Sequence, residues 1–218
     1  MTGPELEAAR QQMLRKQLQL RGIHDRHVLE AMARVPRERF VAGESRQQAY
    51  ADRALAIGCG QTISQPYIVA LMTQALELSG REKVLEIGSG SGYQTAILAE
   101  LAGEVISIER HTDLSAKAGA LLTELGYRNV TLACGDGTLG WPAQAPYQRI
   151  IVTAAAARWP TALFEQLGEG GILVMPIGGR DYQTLQAIRK VSGTPQTVNL
   201  SPCRFVPLIG AQGWPSQP

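Results

Sequence analysis

The chain has 218 residues, 44% of them hydrophobic and 18% charged, a composition that fits one domain or one domain with a small appendage. Its 21 basic and 19 acidic residues leave a formal net charge of only +2, and no cluster of lysine or arginine indicates a nucleic-acid-binding surface. The longest uncharged stretch, Ala54 to Leu76, contains glutamines and a proline that a bilayer would reject. The N-terminus lacks the apolar run of a signal peptide, and the cysteines lack metal-site spacing. We therefore expect a cytoplasmic protein with reduced thiols, no metal and no membrane contact.

The first 80 residues are predicted to be largely helical. Apolar positions recur at helical spacing over residues 5–20, 25–35 and 65–78. Gly22 is placed to end the first helix, Asp25 to cap the second, and Pro66 to stand in the first turn of the third. A glycine-rich polar insertion, residues 58–64, interrupts this helical region.

After Gly80 short apolar runs alternate with helical stretches, which indicates βαβ units and a parallel sheet. We predict an α/β fold, a doubly wound Rossmann-like sheet behind an N-terminal helical cap. Residues 1–80 are assigned to the cap, 81–212 to the core of the same compact unit, and 213–218 to a loose tail. The predicted strands cover residues 83–87, 104–108, 130–133, 149–153, 171–176, 185–191 and 205–209, with a Pro/Ser/Thr loop between the last two.

The sharpest local feature is a glycine turn between the first of these strands and the helix that follows it. The turn has the pattern GxGxG, with an acidic residue two positions before its first glycine. The dinucleotide pattern GxGxxG would require glycine where Tyr93 stands, and the Gly-Lys-Ser/Thr ending of a Walker A loop is missing. The pattern is instead typical of S-adenosylmethionine (AdoMet) methyltransferases. The cofactor contacts predicted here are Glu86 (to the ammonium end, directly or through water), Gly88, Ser89, Gly90 and Gly92.

Carboxylates at the ends of the next two strands support this interpretation. Glu109 stands 17 residues after Gly92, where an acid suits the two ribose hydroxyls, and we include its neighbour Arg110 among the cofactor contacts. Asp136 and Gly137 follow the third strand, where a carboxylate could read the adenine amino group. Each feature alone is commonly a solvated loop or a simple turn, but their order and spacing together predict AdoMet binding.

Several longer segments then identify a family. The most specific lies upstream of the turn and reads GCGQTISQPYIV over residues 58–69. Others are VPRERFV at 35–41, GGILVMPIG at 170–178 and RFVPL at 204–208. On these motifs nearly the whole chain resembles the bacterial protein-L-isoaspartate (D-aspartate) O-methyltransferases.

The resemblance implies a repair reaction on damaged proteins. The methyl group of AdoMet would pass to the free α-carboxylate of an L-isoaspartyl, and possibly a D-aspartyl, residue, and the ester would collapse to a succinimide. A carboxylate with a pKa near ~4 is already ionised at neutral pH, so no general base is required. We accordingly expect His24, His27 and His111 to be surface residues. The implied partners are isoaspartyl-containing peptides and proteins, bound by a monomer.

The resemblance also assigns roles to particular residues. It marks Ser64 as the active-site residue, with a hydroxyl that orients the substrate carboxylate. Taken alone, a serine at this point is a helix N-cap, and the two roles are compatible. Gln61, Thr62 and Ile63 would form a wall between cofactor and substrate, with Val69 one helical turn further on. The peptide would lie along Phe205, Val206, Pro207 and Leu208, although these could be no more than a C-terminal strand.

Two other classes of function remain open. One is an AdoMet enzyme with a small-molecule or nucleic-acid acceptor, and the other is a nucleotide-binding regulatory module without catalysis. The weak net charge argues against nucleic acid. The intact GQTIS segment argues against a module that only binds.

Overall fold

The computed structural model describes residues 2–215, apart from the side chain of Glu44. Six α-helices and nine strands lie in this range. The helices are α1 (Gly3–Gln12), α2 (Arg26–Arg34), α3 (Pro66–Ala75), α4 (Tyr93–Ala99), α5 (Thr112–Glu124) and α6 (Thr161–Gln166). The strands are β1 (Leu55–Gly58), β2 (Gln61–Ile63), β3 (Lys83–Ile87), β4 (Glu104–Glu109), β5 (Val130–Cys134), β6 (Tyr147–Val152), β7 (Leu167–Gly178), β8 (Gln183–Val191) and β9 (Thr194–Cys203).

Seven strands form one sheet in the order β5-β4-β3-β6-β7-β8-β9. The strands from β5 to β7 pair in parallel, whereas β8 and β9 are added antiparallel at the edge. The chain winds outward from β3 in one direction and then returns to continue from β6 in the other. The predicted doubly wound sheet is confirmed, and its switch point lies between β3 and β6, where such sheets bind ligands.

Alternating residues of the central strands supply a hydrophobic core on each face of the sheet. Val84 and Val105 face α3, while Leu85 and Ile106 face the side that α6 covers. Helix α3, predicted as part of the cap, therefore packs directly on the sheet. A third core joins α1, α2, the β1–β2 hairpin and α4, and it seats the N-terminal segments over the glycine turn.

The N-terminal helices differ from the prediction in detail. Helix α1 ends at Gln12 and continues as a π-helical segment, Met13–Leu18, and a short 3₁₀ turn. Asp25 caps α2 as predicted, with its carboxylate accepting from the backbone N–H groups of His27 and Val28. The polar insertion after α2 forms the β1–β2 hairpin, which the sequence pattern did not predict.

The C-terminal region corrects two predictions. The predicted loop before Arg204 contains the ten-residue edge strand β9, which is held by backbone pairing to β8. The predicted strand 205–209 is not part of the sheet, and its β pairing among the described residues is limited to single bridges, Ala155 to Pro207 and Ile209 to Trp214.

Part of the predicted tail is also attached to the core. The indole N–H of Trp214 donates to the carbonyl of Ala155, and the backbone N–H of Trp214 donates to Leu208. Ser216 to Pro218 lie outside the described residues. In the range 2–215, no helix has the length and apolar character needed to cross a membrane.

Candidate active site

A cleft opens at the carboxyl ends of the parallel strands, at the switch point between β3 and β6. Ile87, Ile108 and Thr153 line it from the ends of β3, β4 and β6. The β1–β2 hairpin and the segment after β9 form its other walls. The cleft contains about 900 Å³ of atom-free space, including open solvent at its mouth.

The glycine turn is the floor of this cleft. Gly88, Ser89 and Gly90 line it, and Gly88 and Gly90 have φ angles of 95° and 54° that favour glycine. The Thr153 hydroxyl donates to the Gly88 carbonyl at 2.7 Å, and a Cβ atom on Gly88 would collide with that hydroxyl. The turn thus presents bare backbone at the start of α4 and fits a ligand that lies directly on the main chain.

Glu109 is buried at the end of β4 and faces the cleft. Its two carboxylate oxygens accept hydrogen bonds from the backbone N–H groups of Gly90 at 3.0 Å and His111 at 2.9 Å. Each oxygen keeps a further lone pair for a ligand. Arg110 also lines the cleft. The position predicted to bind a ribose therefore contains a fixed carboxylate.

Glu86, predicted to serve the ammonium end of AdoMet directly or through water, is not among the residues that line the cleft. Its carboxylate lies fully buried beneath the turn and accepts hydrogen bonds from Thr95 and Ser107, each at 2.5 Å. The Ser107 hydroxyl also contacts the hydroxyl of Ser89, which reaches the cleft. Burial raises the pKa of Glu86 to about 7, although the hydroxyl hydrogen bonds partly oppose this shift. Glu86 therefore holds the turn in place from below.

Asp136 and Gly92, two of the predicted cofactor contacts, are not among the residues that line the cleft. Asp136 accepts from the backbone and hydroxyl of Thr138 and from the backbone N–H of Ala211 at 2.7 Å. It therefore joins the loop after β5 to the C-terminal segment. Gly92 is the residue before α4, where its bare backbone allows close packing on Ala118. Gly137, by contrast, lines the cleft as expected.

The β1–β2 hairpin brings the predicted active-site segment to the cleft. Gln61, Thr62, Ile63 and Ser64 all line it, as does Val69 from α3. The N-cap of α3 is Gln65, so the interpretation of Ser64 as an N-cap is wrong. Within residues 2–215 the Ser64 hydroxyl makes no hydrogen bond, while its backbone carbonyl accepts from Arg37 at 2.7 Å. The segment is fixed through its main chain, and the hydroxyl remains available to a ligand.

The segment after β9 closes the opposite side. Val206, Pro207 and Leu208 line the cleft, but Phe205 packs with the core that α3 covers. Backbone hydrogen bonds of 2.8 and 2.7 Å join Val206 and Leu208 to Ala155. The segment that the sequence predicted to bind the peptide is therefore a wall of the cleft. It is held there by this backbone pairing and is not a strand of the sheet.

Sequence reasoning missed part of the lining, most clearly His111. His24 and His27 are exposed as expected, but His111 lines the cleft, and its Nε2 is buried without a partner among the described residues. A buried ring nitrogen of this kind indicates a polar ligand atom nearby. The sequence signal that could have identified His111 is its position two residues after Glu109, which was predicted to contact the cofactor. The other lining residues that were missed are Met72, Ile87, Ser91, Tyr93, Gln94, Ile108, Thr153, Ala154 and Ile209.

In this doubly wound sheet the first parallel strand, β3, is followed by a GxGxG turn. The next parallel strand, β4, ends in the carboxylate of Glu109, which faces the same cleft. Together these features define an AdoMet-dependent methyltransferase fold. The family model described as protein-L-isoaspartate (D-aspartate) O-methyltransferase matches residues 8–213. The chain belongs to this family.

Individual relatives agree with this assignment. The chain is 53% identical over 208 residues to protein-L-isoaspartate O-methyltransferase 1 of Syntrophobacter fumaroxidans, covering 95% of this chain and 97% of that protein. It is 58% identical over 193 residues to the protein-L-isoaspartate O-methyltransferase of Dictyoglomus turgidum, covering 88% of each.

Two solved structures are similar throughout the fold. One, a protein-L-isoaspartate O-methyltransferase, has a TM-score of 0.83 at 29% identity, covering 94% of this chain and 67% of that one. The other, from Plasmodium falciparum, is described as a putative enzyme of the same kind in complex with S-adenosyl-L-homocysteine. Its TM-score is 0.78 at 25% identity, covering 90% of this chain and 96% of that one.

Proposed function

We propose that this chain methylates the free α-carboxylate of L-isoaspartyl residues in damaged polypeptides, with AdoMet as the methyl donor. Family membership supports the reaction, and the cleft supports its two ligands. One observation carries the proposal: the glycine turn and Glu109 share a cleft with the Ser64 segment, to which the resemblance assigns the acceptor. The ester formed would cyclise to a succinimide as the backbone nitrogen displaces methanol, and hydrolysis of the succinimide returns a fraction of the damaged residues to aspartate.

The residues on the turn side fit AdoMet. Glu109 would hold the ribose hydroxyls, the backbone of Gly88 to Gly90 would lie against the ligand, and the Nε2 of His111 would gain a polar partner. AdoMet, when bound, supplies a methyl group activated by attachment to a sulfonium centre. The fully buried Glu86 would support the turn through Ser107 and Ser89.

The residues on the acceptor side explain how the reaction proceeds without a general base. The lining residues of the hairpin and of the C-terminal segment, 61–64 and 206–209, have no titratable side chain. Because an isoaspartyl carboxylate is ionised at neutral pH, these residues need only orient it and exclude water. The Ser64 hydroxyl can donate to one carboxylate oxygen and fix its direction.

We further infer that the chain acts in the cytoplasm, as a monomer, on whole proteins and peptides. Its three cysteines are free, and Cys59 and Cys134 are exposed, which suits a reducing compartment. Acceptance of D-aspartyl residues belongs to the same proposal and would be measured with a D-aspartyl peptide.

The decisive experiment compares matched peptides. Incubation with labelled AdoMet and two peptides that differ only in Asp or isoAsp should label the isoAsp peptide at least ~100-fold faster, because misplacement by about 1 Å costs that much in rate. A peptide with isoaspartate reduced to the alcohol is the control for the acceptor group. Equal labelling of the Asp and isoAsp peptides would exclude repair and favour a different acceptor.

A further inference from the structure

Arg37 is a fully buried arginine directly behind the acceptor side of the cleft. It lies in a 3₁₀ turn, Arg37–Arg39, that follows α2. Its Nε donates to the Ala49 carbonyl at 2.6 Å and its Nη2 donates to the Ser64 carbonyl at 2.7 Å. The guanidinium also lies over the ring of Tyr93, 4.8 Å from the centroid. One side chain thus connects the N-terminal region, the active-site segment and the first residue of α4.

Among the side chains that the structure describes, the charge of Arg37 has no ionic partner. Among the described side chains, none forms a salt bridge with Arg37, and the neighbouring Glu38 instead accepts from the Tyr50 hydroxyl at 2.5 Å. Burial lowers the pKa of Arg37, yet a guanidinium remains protonated in proteins. Its Nη1 is buried and has no hydrogen-bond partner among the described residues. A cation is therefore kept in the interior with no counter-charge from the described side chains.

Packing alone does not explain this arrangement. An apolar side chain of similar volume generally fills such a position at lower free-energy cost than a buried charge. Two hydrogen bonds to carbonyls and the contact with an aromatic face offset only part of that cost. The position of the charge is informative, because Ser64 and Tyr93, which it contacts, both line the cleft.

We propose that Arg37 is a positioning residue for the acceptor: it fixes Ser64 through the main chain and gives the acceptor side a positive potential that favours a carboxylate over a neutral group. This inference rests on the proposed function, since it requires an anionic acceptor. Within the low-dielectric interior a nearby cation stabilises an anion more strongly than it would in water. The acceptor side therefore attracts an anion although its own lining residues, 61–64 and 206–209, include no cationic side chain that would compete with the methyl group for the carboxylate.

The test is a pair of peptides that differ in charge at the acceptor group alone. One has the isoaspartyl α-carboxylate and the other the corresponding α-carboxamide, and both are titrated in the presence of S-adenosylhomocysteine so that no transfer occurs. The unmodified chain should bind the carboxylate peptide more tightly. Arg37→Met should reduce that preference about 10-fold, the size of a one-unit pKa effect from a neighbouring opposite charge. The affinity for S-adenosylhomocysteine should change less than ~3-fold.

Two further variants separate charge from structure. Arg37→Lys keeps the charge but cannot reach both carbonyls with the same geometry, so it should keep the carboxylate preference and lose kcat. Arg39→Met removes a cation from the same turn, where Arg39 pairs with Glu124 at the surface, and should leave the preference unchanged.

The outcomes distinguish the two proposals. If Arg37→Met is less stable but keeps the preference, Arg37 is only structural and the inference is wrong. If the unmodified chain methylates the isoaspartyl peptide but binds both peptides equally, the charge has no role, whether or not the variants fold. If the unmodified chain neither binds nor methylates the isoaspartyl peptide, the proposed function itself fails.

Discussion

Ser64 shows how one side chain can be fixed in place while its functional group stays free. The residue is held by its carbonyl, which accepts from Arg37, and it lies just before the helix cap at Gln65. A family motif could identify Ser64, but its freedom from the cap could not be read from sequence, because a serine before a Gln-Pro helix start is compatible with capping. The structure therefore distinguishes two roles of Ser64, helix capping and orientation of the substrate carboxylate, that the sequence could not distinguish.

This separation makes Ser64→Ala a sharp test. Loss of one oriented hydrogen bond should lower kcat about 5- to 150-fold, corresponding to roughly 1–3 kcal/mol. The free energy of unfolding should change by less than about 0.5 kcal/mol, because no cap or internal hydrogen bond is lost. Steady-state kinetics and chemical denaturation on one preparation measure both quantities. Ser201→Ala on the edge strand is the control, and full activity in Ser64→Ala would remove the hydroxyl from the mechanism.

At the scale of elements, the central strands and the glycine turn could be predicted, and the two ends of the chain could not. Strands β3 and β4 are short and rich in Val, Leu and Ile, a composition that local pattern identifies well. Strand β9 is polar and largely exposed, with Pro195 within it, so only its pairing with β8 defines it. Segment 205–209 has the apolar character of a strand because Phe205 packs with the core and residues 206–209 line the cleft. The contact of Asp136 with Ala211 could not be read from the sequence, because the two residues are 75 positions apart in the chain.

The turn itself can be tested by a substitution that the fold should tolerate. Gly90 has φ of 54°, and a new Cβ there would meet Ile57 Cδ1 at 3.4 Å, an ordinary contact. Gly90→Val should thus cost about 1–2 kcal/mol of backbone strain and still fold. AdoMet affinity should fall more than ~100-fold, because the β-branched group covers backbone at the ligand surface and disturbs the N–H that Glu109 accepts.

Titration calorimetry with AdoMet measures this loss. Gly193→Val is the matched control: Gly193 has φ of 73° in the β8–β9 turn, and a Cβ there meets nothing within 4 Å. The control should show similar strain and normal affinity. Unchanged binding in Gly90→Val would show that the turn does not contact the ligand.

At the scale of the whole molecule, Glu86 couples folding stability to pH. Its pKa is about 7 in the folded chain, against an ordinary value of 4.5. Between these values the folded chain keeps a proton that the unfolded chain releases, so stability falls as pH rises through this window and is constant above it. The full effect is on the order of 3 kcal/mol. Glu86→Gln should lack this pH-dependent contribution to stability. Chemical denaturation of both chains between pH 4 and 8 measures the difference between their free energies of unfolding.

The carboxylate of Glu82 serves as the control, because its contribution to folding stability changes with pH in the opposite direction. Burial would raise the pKa of Glu82, but hydrogen bonds from Ser79 and neighbouring backbone N–H groups outweigh it and lower the pKa to about 2. Its contribution is present above the ordinary pKa and is lost as pH falls. The difference between Glu82→Gln and the unmodified chain should therefore grow with rising pH. A difference for Glu86→Gln that is independent of pH would contradict the raised pKa.

The hydrogen bonds of Asp136 also bear on how this protein itself ages. An Asp-Gly sequence is chemically vulnerable, because the unhindered glycine nitrogen can attack the aspartyl side-chain carbonyl, and Asp136–Gly137 is the only such pair in the chain. Here Ala211 and Thr138 bind both carboxylate oxygens, and these bonds outweigh the effect of burial and keep the pKa of the carboxyl below its usual range. An ionised, anchored carboxylate is a poor electrophile and cannot rotate toward the nitrogen. A chain that acts on the products of this ageing thus protects its own most susceptible bond.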